Sequence, residues 1–252
     1  MDPWVQRAAA EIGRRAVREL EALVGVSSPS GDVQGADECA AVCAALLPDE
    51  AEIERVPCSS PDHAPDLLAT LRGSGSRRLL LLGHLDTVVA HDRHRPLHRE
   101  GGKLVGSGAV DMKGGDVLAI GVLRALVPLG SHYAEVALLL VNDEEWRTVP
   151  FGHIARFADF DACLCFEAGQ LGPDGEEAVV VRRKAAGTLR VRAFGREAHS
   201  GSNPEKGANA LLADPLSGAL HAHIVCVART APRGSGWRRD GLENGQTRTV
   251  VS

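Results

Sequence analysis

Apolar side chains recur at helical spacing over residues 3–24, with Val5, Ala9, Ile12, Ala16, Leu20 and Leu23 on one stripe. That periodicity predicts an amphipathic helix. The stretch VSSPSGD at 26–32 ends it with Ser, Pro and Gly. A second helix is expected over 33–47, and short strands over 51–56 and 67–71 enclose a polar loop. The pattern then changes to short continuous apolar runs. LLLLG at 79–83, EVALLLV at 135–141 and DACLCF at 161–166 read as buried strands, with a helix over 113–127 between the first two. Such runs alternating with helices predict an α/β domain whose sheet is largely parallel and covered by helices. Ligands of such sheets bind beyond the carboxyl ends of the strands.

The pattern changes again near 178–185, where a domain boundary is placed, giving domains over 1–180 and 181–252. GTLRVRAF at 187–194 alternates Leu189, Val191 and Ala193 with Arg190 and Arg192. That is a half-exposed strand of the kind found in antiparallel sheets. Residues 203–212 read as a helix with Asn203 as N-cap and Pro204 in the first turn. Beyond about 213 the periodicity fades, and the sequence holds no internal repeats.

Composition narrows the classes. The chain has 252 residues, 44% of them apolar and 24% charged, which fits an ordinary globular protein and excludes disordered and collagen-like classes. Its net charge of −5 points away from nucleic acid and membrane surfaces as partners. The four arginines within 229–239 lack helical or aromatic organisation, so they do not change that reading. No apolar run reaches the roughly 20 residues of a membrane span, and the N-terminus lacks the apolar core of a signal peptide. The six cysteines form no Cys-x-x-Cys pair and read as reduced thiols of a cytoplasmic protein. Cys39 and Cys43 are expected in the core, and Cys163 and Cys165 as packing on one strand face.

The chemistry-bearing residues gather just past the apolar strands. His84 and Asp86 follow the first, Asn142-Asp143-Glu144-Glu145 the second and Glu167 the third, while Asp111 lies in GSGAVDMKGG at the start of helix 113–127. In a parallel sheet these places converge on one crevice, and a histidine with several carboxylates is a ligand set for a divalent metal. In His84-x-Asp86 an extended chain puts both side chains on one face, so Asp86 can accept the second imidazole N–H. Of the adjacent Glu144 and Glu145, one can hold metal while the other moves protons. Asp111 is placed to bridge two ions roughly 3.5–4 Å apart. Zinc suits this set; cobalt or manganese would fit similar ligands. Two other chemistries are disfavoured. There is no Gly-x-Ser-x-Gly nucleophile elbow, and Gly106 to Asp111 fails the dinucleotide fingerprint at its third glycine. His91, His94 and His98 sit in a polar loop and read as solvated.

Five segments in order resemble the zinc-dependent exopeptidase and deacylase family, which includes glutamate carboxypeptidase, acetylornithine deacetylase, succinyl-diaminopimelate desuccinylase and aminoacylase. They are LLLLGHLDTV (79–88), GSGAVDMKGGDVLAIGVLRAL (106–126), LLLVNDEEW (138–146), CLCFEAG (163–169) and GREAHSGSNPEKGANAL (195–211). The resemblance implies a zinc-binding α/β domain followed by part of a smaller α+β lid that dimerises. It implies that His84 and Glu167 bind one zinc, that Asp111 bridges, and that Glu145 binds the second. Glu144 would be the general base, Asp86 would orient His84, and His199 would polarise the substrate carbonyl. The implied activity is hydrolysis of the amide or peptide bond of a C-terminal amino acid or an N-acyl amino acid, with a peptide or small molecule as substrate.

Two departures stand out. Matching stops near 211, and the family's last histidine ligand has no counterpart, since His221 and His223 lie outside any matching motif. A C-terminally truncated member is therefore expected, and an inactive one is the alternative to the enzyme. The other departure is Trp146-Arg147-Thr148 after the glutamate pair, where the family often has a small residue; it sets bulk near the substrate entrance.

Overall fold

The computed structural model describes residues 2–147, 149–181 and Lys206. The second domain expected over 181–252, with strand 187–194, helix 203–212 and His199, lies outside the described residues apart from Val181 and Lys206.

Helix α1 runs Pro3–Val24 and α2 Val33–Leu46. Both start where the sequence caps them: Asp2 accepts from the Trp4 amide, with Pro3 in the first turn, and Asp32 accepts from the Gly35 amide. Strands β1 (Glu52–Val56), β2 (Asp66–Arg72) and β3 (Arg77–His84) follow. A short hairpin of β4 (His98–Glu100) and β5 (Lys103–Val105) begins in the polar segment that carries His91, His94 and His98. Helix α3 is Gly114–Leu126, β6 is Tyr133–Val141, β7 is Ala162–Cys165, and β8 (Gln170–Leu171) pairs with β9 (Glu177–Ala178).

Five strands make one sheet in the order β1-β2-β6-β3-β7. The strands that end at the candidate residues are parallel: β3 pairs with β6 from Arg77–Tyr133 to His84–Val141, and with β7 from Leu79–Ala162 to Leu82–Cys165. β2 and β1 extend the β6 side as antiparallel strands. Because β3, β6 and β7 run the same way, His84, Asn142 and Phe166 emerge at one end of the sheet.

Side-chain alternation divides the core into two layers. Leu81, Leu138, Leu140, Leu67 and Leu71 pack under the three helices with Leu20, Leu23, Cys39, Cys43, Ile120 and Leu123. Cys39 and Cys43 are fully buried there, as expected from their spacing. The opposite face carries Leu68, Leu80, Leu139 and Val141, covered by Phe151, Phe157 and Phe160 from the loop after β6. The helices thus cover one face, and a phenylalanine-bearing loop covers the other. Glu19 of α1, nearly buried, takes both Arg124 guanidinium nitrogens at 2.7 and 2.6 Å and clamps α1 to α3. Cys163 and Cys165, expected as packing residues, are exposed instead, and Leu164 is 48% exposed. Among the described residues β7 is the last strand of the sheet, and neither core layer includes its side chains.

Candidate metal centre

His84 ends β3 and is 1% exposed. Its Nε2 lies 3.0 Å from Asp111 Oδ1 and 3.5 Å from Glu167 Oε1. Glu144 and Glu145 also offer oxygens close to the same ring: His84, Asp111 and Glu167 form one group, and His84, Glu144 and Glu145 another, with ligand atoms within 4.8 Å of one another in each. Side chains from four separate stretches of sequence therefore meet at the carboxyl end of the parallel strands. Asp111 and Glu145 also line one cavity of about 210 Å³.

Local backbone explains the approach of each group. Asp111 sits in a wide turn, Ala109–Lys113, where its own angles (φ −120°, ψ 95°) leave the helix and turn the side chain outwards. Gly108 opens that turn at φ +68°, a left-handed conformation that favours glycine. At Gly115, in the first turn of α3, a Cβ would stand 1.9 Å from the Phe166 carbonyl oxygen, so only glycine lets the helix pass the end of β7. That passage sets Glu167 beside Asp111. Lys113 points the other way: its buried ammonium donates to the carbonyls of Leu23 and Val26 at 3.2 and 2.7 Å, anchoring the end of α1.

Three buried carboxylates fix the turn that carries the glutamate pair. Asp66 accepts the Asn142 amide at 2.9 Å and His153 Nε2 at 2.8 Å. Asp86 accepts the Glu144 and Glu145 amides, each at 3.1 Å, one on each oxygen. Asp143 accepts the Ser60 amide at 3.0 Å and its hydroxyl at 2.8 Å, and pairs with Arg147 at 3.3 Å. The sequence reading placed Asp86 against His84. Its carboxylate does lie 3.4 Å from Nδ1, but the closer partner, at 2.9 Å, is the Asp86 backbone carbonyl. The contact of Asp86 with the glutamate amides, 58 and 59 positions away, had no sequence signal.

The electrostatics follow from this crowding. Burial on its own lowers the His84 pKa, but the hydrogen bond and charge of Asp86, with the charges of Asp116 and Glu144, carry it up to about 10. Burial raises the Asp86 carboxyl, yet the neighbouring His84 and the donated amide hold it below the ordinary range. Glu145 is pushed up by burial and by the like charges of Asp111, Glu144 and Asp86. Asp116, on α3 behind Gly83, is fully buried with neither oxygen hydrogen-bonded among the described residues, and burial raises its carboxyl well above the usual value.

This donor set fits a divalent cation. One imidazole and four carboxylates meet in two overlapping groups that share His84, and burial with the neighbouring carboxylates already pushes Glu145 up. Nitrogen and oxygen donors of this kind suit zinc and its neighbours.

Residues 80–181 match the model described as Peptidase family M20/M25/M40. The chain is 27% identical over 204 residues to carboxypeptidase G2 of Pseudomonas sp. (strain RS-16), a match covering 78% of this chain and 48% of that protein. It is 34% identical over 197 residues to succinyl-diaminopimelate desuccinylase of Methylobacterium sp. (strain 4-46), covering 67% of this chain and 49% of that one. The chain thus spans about half the length of these curated relatives. Among solved structures, human carnosine dipeptidase 1 superposes with a TM-score of 0.54 at 22% identity, over 65% of this chain and 41% of that chain. The dipeptidase Dug1p from Saccharomyces cerevisiae does so with a TM-score of 0.52 at 18% identity, over 67% and 41%. These two likenesses concern the fold. No described helix is long and apolar enough to cross a membrane.

Proposed function

We propose that this chain, whose residues 80–181 belong to the peptidase M20/M25/M40 family, works as a two-zinc amide hydrolase. Its substrates would carry a C-terminal amino acid or an N-acyl amino acid, in line with the carboxypeptidase and desuccinylase names of its relatives. The observation that carries this reading is the convergence of Asp111 and Glu167 on His84 Nε2, at 3.0 and 3.5 Å, beside the Glu144–Glu145 pair.

In this reading His84 and Glu167 would hold one ion and Glu145 the second, with Asp111 shared between them. Zinc bound in such a site supplies a water of pKa near about 7 and polarises the scissile carbonyl. Glu144 would be the general base, taking the proton of the attacking water and delivering it to the leaving amine. Asp86 orients His84 from its Nδ1 side and holds both glutamate amides, which keeps the base and the ligand in register. His199 is assigned to the carbonyl oxygen by resemblance alone. A homodimer through the segment after residue 180 belongs to the same reading, and light scattering on the purified chain tests it.

The deciding experiment is metal analysis combined with hydrolysis. The zinc-loaded chain is expected to retain two ions and to release amine from N-acyl amino acids. Glu144→Gln should keep the metal and lose the hydrolysis by about 100-fold or more. One retained ion and no turnover would favour the alternative, a metal-binding family member that does not catalyse.

A further inference from the structure

On the phenylalanine-covered face of the sheet, beside the metal centre, lies a cavity of about 180 Å³. It is smaller than the roughly 300–1,000 Å³ of sites for drug-sized ligands, so it suits a single side chain. Leu82, Val141 and Phe151 make its apolar wall, and it opens against His84, Glu144 and Glu167. Arg147 is the one arginine or lysine among its lining residues.

The setting of Arg147 is a built one. Its Nη1 lies 3.3 Å from Oδ1 of the fully buried Asp143, and its guanidinium carbon stands 4.8 Å over the Phe151 ring. These two contacts fix the plane of the group while its side chain stays 22% exposed. The ion pair uses Nη1; Nε and Nη2 make no hydrogen bond among the described residues. That free edge is the geometry that receives a carboxylate through two parallel N–H bonds. Glu144 and Glu167 line the same cavity, so Arg147 is the arginine at its border that can offer an anionic substrate group a directed counter-charge.

We propose that Arg147 is a specificity-determining residue. Its free guanidinium edge binds a carboxylate of the substrate while a small apolar side chain occupies the wall formed by Leu82, Val141 and Phe151. The preferred class is then an acylated apolar α-amino acid with a free carboxylate. This rests on the hydrolase reading for its biological meaning, though the binding it asserts is measurable without turnover.

The test compares N-acetyl-L-leucine with N-acetyl-L-leucinamide, which differ only in the carboxylate, by calorimetric binding to the zinc-loaded full chain. The wild type is expected to bind the acid at least about tenfold more tightly than the amide, or 1.4 kcal/mol. Arg147→Gln can still donate to Asp143, and it should bring that ratio close to one without changing the affinity for the amide. If the Gln variant does not fold, Arg147→Lys decides, with a fall in the ratio of about threefold or more expected, because a point charge replaces the fork. An unchanged ratio in a folded variant, or no saturable binding of the acid to the wild type, overturns the proposal. Amine release is followed in parallel. Arginine-dependent binding without hydrolysis would sink the hydrolase reading alone, whereas hydrolysis with arginine-independent binding would sink this inference alone.

Discussion

Asp86→Asn is the sharpest probe of how the candidate metal centre is held together. The Asp86 carboxylate is 1% exposed and accepts two amides, Glu144 and Glu145, at 3.1 Å each, with His84 Nδ1 at 3.4 Å. A hydrogen bond to a charged group contributes about 1.5–3 kcal/mol. The asparagine keeps one carbonyl oxygen, so one amide loses its acceptor and faces an NH₂ group instead. One such bond is therefore lost, at about 1.5–3 kcal/mol. For a chain of this size that lowers the melting temperature of the metal-free protein by roughly 3–12 °C. The same change loosens the turn carrying Glu145 and weakens the electrostatic support of His84. Outer partners of metal ligands are worth about 10–100-fold in affinity. The assay is zinc competition against a chelator, with melting of the metal-free chain recorded alongside. If Asp86→Asn melts early but binds zinc as the wild type does, Asp86 braces the fold without positioning the ligands, and the argument for its role fails.

Three further outcomes are expected. Arg124→Ala strands the nearly buried Glu19 carboxylate and should cost about 3–5 kcal/mol in urea unfolding, while the double variant Glu19→Leu/Arg124→Met should lie near the wild type. Gly115→Ala puts a Cβ 1.9 Å from the Phe166 carbonyl and should lower zinc affinity by about tenfold or more by displacing Glu167; Gly13→Ala, with open space around it, should instead raise stability by about 0.5–1 kcal/mol. Zinc at about 100 times its dissociation constant should stabilise the chain by roughly 2.7 kcal/mol, reversed by a chelator; a melting temperature unchanged by zinc would contradict a built site.

Much of the fold was legible because it rests on local pattern. The helix expected over 3–24 is Pro3–Val24, and the buried strands expected at 79–83 and 135–141 are the cores of β3 and β6. Unbroken leucine runs can be satisfied only in strands covered on both faces, which here are the parallel neighbours β3 and β6. The candidate residues were legible for a related reason. Polar groups directly after such strands share one end of the sheet, so His84, Glu144, Glu145 and Glu167 can be placed together before any distance is known. Asp111 needed the glycines around it: Gly108 at positive φ and Gly115 against Phe166 mark a turn that brings backbone close to backbone.

What sequence did not disclose is the set of long-range polar contacts that make the convergence rigid. Asp66, Asp86 and Asp143 look alike in sequence, each a carboxylate at or near a strand end. Their partners lie 76, 58 and 83 positions away, at the Asn142, Glu144 and Ser60 amides. Helix and strand periodicity report only neighbours within a few residues, so such pairings are silent until the strands align. The same holds for the faces of β7: its apolar run predicts burial, but neither core layer of the described residues takes in Cys163 and Cys165, which are exposed. Arg147 is the instructive case. In sequence it is a departure from the small residue the family often carries there. In three dimensions Asp143, fixed by Ser60, fixes Arg147 in turn against Phe151, beside the glutamates that would do the chemistry. The bracing that holds the turn of Glu144 and Glu145 therefore also sets a cation at the adjoining cavity, so a change at Asp143 or Ser60 should alter carboxylate preference as well as stability.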